Sequence, residues 1–182
     1  MKIQYGSQGG GKIRAIGVSN YNVKQMQEAH ARLARYDIPL VSNQVHYSLL
    51  HRKPENNGVL DACRELDVAL IAYSPLQQGL LTGKYRAGQR ITMTGMRRFF
   101  RAYSTSGLNK IEPLLSTMET IGKARNKTTA QVALNWLLAK DEHVIPIPGA
   151  KNLRQAIDNA GSIGWRLSEE EFRQIDSASR DL

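Results

Sequence analysis

The chain carries a single cysteine, Cys63. That excludes an internal disulfide, and its amphipathic surroundings read as a buried, inert thiol in a reducing compartment. No stretch approaches the roughly 18 unbroken apolar residues of a membrane span. The opening, with Gly9, Gly10 and Gly11 and no apolar run, does not read as a signal peptide. A cytoplasmic protein is therefore expected, or a plastid one if a lost leader once preceded it. Acidic residues are also scarce, 16 against 25 Lys plus Arg, which leaves a formal net charge of +9. Such an excess attracts anions without choosing among nucleic acid, a phosphorylated cofactor and a solvated surface. The four histidines, His30, His46, His51 and His143, contain no pair at metal-ligand spacing, so no metal site is expected.

What is present fits one domain. An apolar share of 41% over 182 residues can supply one packed core, and no linker separates two units. We read 1–182 as a single domain with 1–12 as a flexible lead-in. Gly6 and Gly11-Lys12 approach the spacing of a phosphate-binding P-loop, but Ile13 stands where the magnesium-binding hydroxyl should be. Ile13 to Val18 reads as a strand where the helix should begin.

Strand, turn and helix then recur. Ile13 to Val18 is β-branched and apolar, Asn22 is an N-cap, and Val23, Met26, His30 and Leu33 follow at helical spacing. Leu40 to Val45 forms a second strand, and Asn57-Gly58 leads a helix whose apolar face is Val59, Leu60, Cys63 and Leu66. Val68 to Tyr73 is almost wholly apolar, as in a strand covered on both faces. After a long insertion come a helix from about Ile111 to Arg125 and another opened by the Thr128/Gln131 capping box. His143 to Pro148 gives a fourth strand, with helices over about Asn152 to Ala160 and after the Ser168/Glu171 capping box. This alternation predicts an α/β fold of parallel βαβ units. It fits a small open sheet or half of an eight-stranded barrel equally well.

In a parallel sheet, ligands gather at the carboxyl ends of the strands. The loops there carry Ser19 and Asn20, Gln44, Tyr73 with "SPLQQG", and "GAKN". Amides and hydroxyls suit a carboxamide, Tyr73 offers an aromatic face, and Lys151 beside a helix N-terminus suits a phosphate. The densest basic segment holds Lys84, Arg86, Arg90, Arg97, Arg98 and Arg101 among Tyr85, Phe99, Phe100 and Tyr103. That pairing of cations with rings is the pattern of single-strand nucleic-acid binding, although Gly88, Gly95 and Gly107 break it.

"GVSNYN", "SNQVHYSLLHRKPENNGV", "LIAYSPLQQGLLTGKY", "QVALNWLLAK" and "VIPIPGAKN" together resemble the C-terminal half of an aldo-keto reductase, from Gly11 to about Ser177. The resemblance implies strands five to eight of a TIM-type (β/α)8 barrel that binds NADPH without a Rossmann fold. It implies that Ser19, Asn20 and Gln44 hold the nicotinamide carboxamide and that Tyr73 stacks under the ring. Ser74, Leu76 and Gly79 would line the pyrophosphate with Lys84 nearby. Gly149, Lys151, Gln155 and Asn159 would hold the adenosine and its 2′-phosphate.

The family's catalytic Asp, Tyr, Lys and His belong to the first four strands, and none of those motifs occurs here. The expected function is therefore the NADPH-binding portion of an enzyme that reduces a small aldehyde or ketone to an alcohol, with no catalytic residue in this chain and no activity alone. The alternatives are a non-catalytic NADPH-binding or partner-binding protein, and nucleic-acid binding through 84–103. Half a barrel leaves two open sheet edges and an uncovered apolar face, so a homodimer is expected through them.

Overall fold

The computed structural model describes residues 13–88, 101–180 and 182. The lead-in, with Gly6, Gly11 and Lys12, lies outside them. The elements in order are β1 (Ile16–Ser19), α1 (Val23–Ala34), β2 (Leu40–His46), α2 (Lys53–Asn56), α3 (Val59–Glu65), β3 (Ala69–Tyr73), a 3-10 segment over Gln77–Thr82, a 3-10 turn over Arg101–Tyr103, α4 (Thr105–Arg125), α5 (Thr129–Lys140), β4 (Val144–Ile147), α6 (Leu153–Ala160) and α7 (Glu169–Ser179). The expected caps form. Asn22, Thr128 and Ser168 each accept from the backbone N–H three residues on, and Gln25, Gln131 and Glu171 return the bond to complete capping boxes.

Apart from strand and helix ends that shift by a residue or two, three features differ from the sequence expectation. β1 starts at Ile16, leaving Ile13 exposed ahead of it. The turn of α2 was not foreseen; Pro54 sits in its first turn, where a missing N–H costs nothing. α4 begins at Thr105, capped by Ser104, and runs through Pro113. Pro113 is on the solvent side, where water can reach the carbonyl it leaves unpaired.

The four strands are all parallel and lie in the order β1-β2-β3-β4. A doubly wound sheet would reverse its order at a switch point. Consecutive neighbours are instead what a barrel wall requires. One irregularity lies between Ile16, opposite Leu40, and Gly17, opposite Ser42. It leaves Val41 as an extra, exposed residue.

Helices cover one face of this wall. Asn43, Val45, Leu70, Ala72 and Val144 point into that layer and are buried, alongside Met26, Leu60, Cys63, Leu114, Met118 and Trp136. Burial raises the Cys63 thiol to about 11, which keeps it protonated. The opposite face, with Gly17, Ser19, Ser42, Gln44, Ile71, Tyr73, Ile145 and Ile147, is uncovered by any described element. Ile145 and Ile147 are 49% and 43% exposed there. The expectation of a third strand covered on both faces is thus met on one face only.

The helical layer closes on a charged cluster. Arg52 donates to both Glu55 oxygens at 2.7 Å and to Asp176 Oδ1 at 2.6 Å, and Lys140 bridges the same two carboxylates at 2.7 and 3.4 Å. Both cations lie over the buried Trp136 ring, at 5.0 and 5.4 Å. Tyr47 Oη donates to Glu55, and burial beside that carboxylate pushes the phenol well above its ordinary value. This cluster ties α7 to α2 and α5. Elsewhere the buried Asn135 donates to the Ser162 and Trp165 carbonyls and accepts from Leu167 N, anchoring the α6–α7 connection.

Burial pushes the carboxyls of Glu55 and Asp176 up, but Arg52, Lys140 and, for Asp176, Arg180 overcome it and hold both below their usual values. Their stabilisation is complete above the ordinary values of 4.5 and 3.8 and is lost as pH falls through the lower folded ones. Urea unfolding should therefore show stability dropping below about pH 4.5, where that protonation begins. At pH 7, Arg52→Ala should cost about 3 kcal/mol, because it leaves two largely buried carboxylates sharing Lys140 and removes the bidentate partner of Glu55.

Candidate functional site

The carboxyl ends of β1, β2 and β3 meet in one connected set of polar groups. Asn20 takes a left-handed backbone, φ 56°, which turns the chain off β1 and lets its N–H donate to the Gln44 carbonyl at 2.9 Å. Ser19 Oγ donates to that same carbonyl at 3.0 Å, and Asn20 Nδ2 donates to Ser19 Oγ at 3.3 Å. Tyr73 Oη reaches Asn20 Oδ1 at 3.4 Å from two strands away. The Gln44 side chain lies on the uncovered face and has no hydrogen-bond partner among the described residues. It lines, with Gly17, Ser19, Tyr21, Ser42 and Ile71, a groove of about 470 Å³.

Asn43 positions that loop, and sequence reading passed over it in favour of its neighbour Gln44. It is fully buried on the helix side, accepts from Tyr21 N at 3.3 Å and donates to Tyr21 O at 3.0 Å. A polar residue at an inward strand position was the available signal, since a buried amide must be satisfied by something specific.

Between β3 and Leu80 the chain passes through four residues with positive φ: Ser74 at 52°, Gln77 at 46°, Gln78 at 53° and Gly79 at 104°. At Gly79 a side chain would be strained by that φ, its Cβ lying in ordinary contact with the Tyr85 ring. Gln77 Nε2 donates to the buried Ser48 Oγ at 2.9 Å and Tyr103 Oη to the Gln78 carbonyl at 3.1 Å, so the turn is braced from both sides. Leu76 packs its side chain against the core, and its carbonyl accepts from Gly79 N at 2.9 Å and Leu81 N at 3.3 Å. Lys84 is exposed, with its ammonium 5.6 Å from the Tyr85 ring centroid.

The fourth loop is held to α6 by its own amides. Lys151 N donates to Gln155 Oε1 at 2.7 Å, Asn159 Nδ2 donates to the Gly149 carbonyl at 3.4 Å, and Asn152 caps α6 through Gln155 N. Gln155 and Asn159 therefore shape this loop in the present structure. The Lys151 ammonium is exposed and has no carboxylate partner among the described residues. A Cβ at Gly149 would meet no atom of the described residues within 4 Å, so their packing does not demand glycine there.

The structure thus brings Ser19, Asn20, Gln44 and Tyr73 together, and places Ser74–Lys84 and Gly149–Asn159 at the carboxyl ends of β3 and β4. The basic segment fares differently. Arg90, Arg97, Arg98, Phe99 and Phe100 lie outside the described residues. Of its remaining rings, Tyr85 and Tyr103 are buried edge to face at 5.2 Å, and Arg86 is paired with Glu112 and Glu119. Those groups are spent inside the fold and are not a stacking surface for bases. Among the described residues no three His, Cys, Asp or Glu come together as a metal site, and no helix is long and apolar enough to cross a membrane.

Parallel units in barrel order with polar loops at every strand end define the class, and comparison with known proteins gives the family. The aldo/keto reductase family model matches residues 7–180, so the chain belongs to that family. It is 41% identical over 171 residues to the chloroplastic pyridoxal reductase of Arabidopsis thaliana, covering 94% of this chain and 45% of that protein. It is 34% identical over 171 residues to an NADP(+) aldo-keto reductase of Schizosaccharomyces pombe, covering 92% and 48%. The solved glycerol dehydrogenase of Gluconobacter oxydans superposes with a TM-score of 0.80 at 27% identity, over 94% of this chain and 50% of that one. The chain spans about half the length of the relatives it matches.

Asn43→Ala should cost about 2–3 kcal/mol in urea unfolding, since it leaves both backbone groups of Tyr21 without their buried partner. Asn43→Asp should recover part of that loss, because it keeps the acceptor for Tyr21 N.

Proposed function

We propose that this chain is the NADP-binding portion of an aldo-keto reductase, corresponding to strands five to eight of a TIM-type (β/α)8 barrel. The family reaction it would serve is NADPH-dependent reduction of an aldehyde or ketone to an alcohol. The observation that carries the reading is the convergence of Ser19, Asn20, Gln44 and Tyr73 on one rim of the uncovered sheet face. Hydroxyl and amide groups there match the donors and acceptors of a carboxamide, and Tyr73 adds an aromatic platform.

Three further observations suit the same cofactor. The Gln44 amide has no partner among the described residues and faces the groove. The residue at Gly149 could carry a side chain without meeting the protein, so its bareness is free to serve a bound group. Lys151 offers a cation with no carboxylate partner among the described residues at the start of α6, where the helix dipole also favours an anion. On this reading Ser74, Leu76 and Gly79 line the pyrophosphate with Lys84 beside it. Gly149, Lys151, Gln155 and Asn159 take the adenosine and its 2′-phosphate.

When bound, NADPH supplies the hydride for a carbonyl carbon, and the carbonyl oxygen then needs a proton from an acid. The chain offers no Asp, Tyr, Lys and His set in the family's contexts, and Tyr73 is occupied as the platform. We therefore assign it no catalytic residue and no turnover by itself. Completion of the site would fall to the remaining half of a barrel.

The surfaces such a half would cover suit a homodimer as well. Ile145 and Ile147 project from the open sheet face, while Leu153, Ile157 and Ile163 are 75%, 64% and 70% exposed on and after α6. We place the protein in the cytoplasm, with a plastid as the alternative that the chloroplastic relative supports.

Titration calorimetry should find NADPH bound more tightly than NADH. Lys151→Ala should weaken NADPH about tenfold and leave NADH unchanged, as loss of one phosphate contact requires. The purified chain should oxidise no NADPH with a panel of aldehydes and should scatter light as a dimer. Turnover, or a monodisperse monomer, would refute the half-barrel reading.

A further inference from the structure

Three rings stand in a parallel column beside the strand ends. His46, paired with Tyr73 across β2 and β3, lies face to face with it at 5.2 Å between centroids and 10° between planes. His51 stacks on His46 at 4.1 Å and 12°. Among the described residues no other ring stacks on Tyr73. His46 belongs to the rim of a second cavity of about 350 Å³, whose walls include Asn20, His51, Lys53 and Tyr73 and contain no carboxylate.

We propose that His46 is a positioning residue for the nicotinamide end of the cofactor: its ring fixes the plane of Tyr73, and its charge state discriminates between the oxidised and reduced forms of the nicotinamide. The inference rests on Tyr73 being the platform for that ring, as proposed above. The oxidised nicotinamide carries a positive charge and the reduced one does not. A neutral imidazole behind Tyr73 tolerates both, whereas an imidazolium repels the oxidised form selectively.

The surroundings keep His46 neutral near pH 7. Its Nε2 is buried with no hydrogen-bond partner among the described residues, so a proton placed on that nitrogen would be left unsatisfied. Burial lowers its pKa, opposed more weakly by the Gln77 side chain. Burial also lowers His51, with His46 and Lys53 adding to the effect. The titratable groups around the stack are thus His51 and Lys53 from the chain after β2, Tyr73 from β3 and Tyr21 from the β1–α1 loop. None of them is a carboxylate. His46 therefore gains its charge below the ordinary histidine value of 6.5.

The test measures dissociation constants of NADP+, NADPH and adenosine 2′,5′-bisphosphate for the 182-residue chain from pH 5.5 to 8. Titration of the 2′-phosphate affects both dinucleotides alike and cancels in their ratio; the bisphosphate reads it separately. NADP+ should weaken relative to NADPH by about three- to tenfold on acidification, and His46→Phe, which keeps a ring without a charge, should flatten that ratio. His46→Ala should weaken both dinucleotides about three- to tenfold, the range of one aromatic stack, and leave the bisphosphate unchanged. A flat ratio in the wild-type chain, or a ratio that responds equally in His46→Phe, would overturn the proposal while the cofactor reading stands. Loss of bisphosphate affinity in His46→Ala would reduce His46 to a general packing role. Binding of neither dinucleotide nor bisphosphate would remove the cofactor reading and this inference with it. Should His46→Ala fail to fold, the pH response of His46→Phe still decides.

Discussion

Burial of one face of a four-stranded parallel sheet against its helices is the constraint from which the other features follow. Side chains alternate along a strand, so covering one face sorts every strand residue into two classes. Asn43, Val45, Leu70 and Ala72 enter the helical layer; Gln44, His46, Ile71 and Tyr73 are left on the other side. A slip of one residue in β2 would exchange Gln44 for Asn43 and bury the amide that faces the groove. Because parallel strands set their partners side by side, Ser19, Gln44 and Ile71 share a row, as do His46, Tyr73 and Ile147. The polar rim is the end of those rows.

Two polar devices keep that sorting in place. Asn43 spends its buried amide on the backbone of Tyr21, which fixes the loop carrying Asn20. The Arg52, Glu55, Lys140 and Asp176 cluster brings α2, α5 and α7 together over Trp136. Its charges satisfy one another in a site with little water, so removing one member costs more than the intact cluster contributes over an apolar replacement. Both devices lie on the covered side of the sheet. Rigidity on the covered side is what lets the uncovered side present side chains at set positions.

Much of the architecture was legible in local patterns. The N-cap at Asn22 and the capping boxes at Thr128 and Ser168 are short-range chemistry, complete within four residues, and the apolar periods marked every strand and every helix but α2. The start of α4 was not legible, because "STSGLNKIEP" contains a glycine and a proline that discourage a helix locally, and the burial of Leu108 and Ile111 outweighs them. Ser19, Asn20, Gln44 and Tyr73 could be picked out as polar or aromatic residues at strand ends. Asn43 carried a signal, a polar residue two places before Val45 on the inward side of β2, whereas His46 carried none, since nothing in its neighbours in sequence says that it meets Tyr73.

By itself the sequence determined the α/β alternation, the caps, the basic charge and the loops that hold amides, a tyrosine and a lysine after successive strands. These depend on residues within a turn or two of one another. The tertiary structure decided the consecutive strand order, the side from which the sheet is covered, the burial of Tyr85 and Tyr103 within a segment that had read as a base-stacking surface, and the three-ring column through His46. Each of those joins residues far apart along the chain, and only packing, which weighs all their surfaces at once, can choose among the arrangements that local chemistry allows.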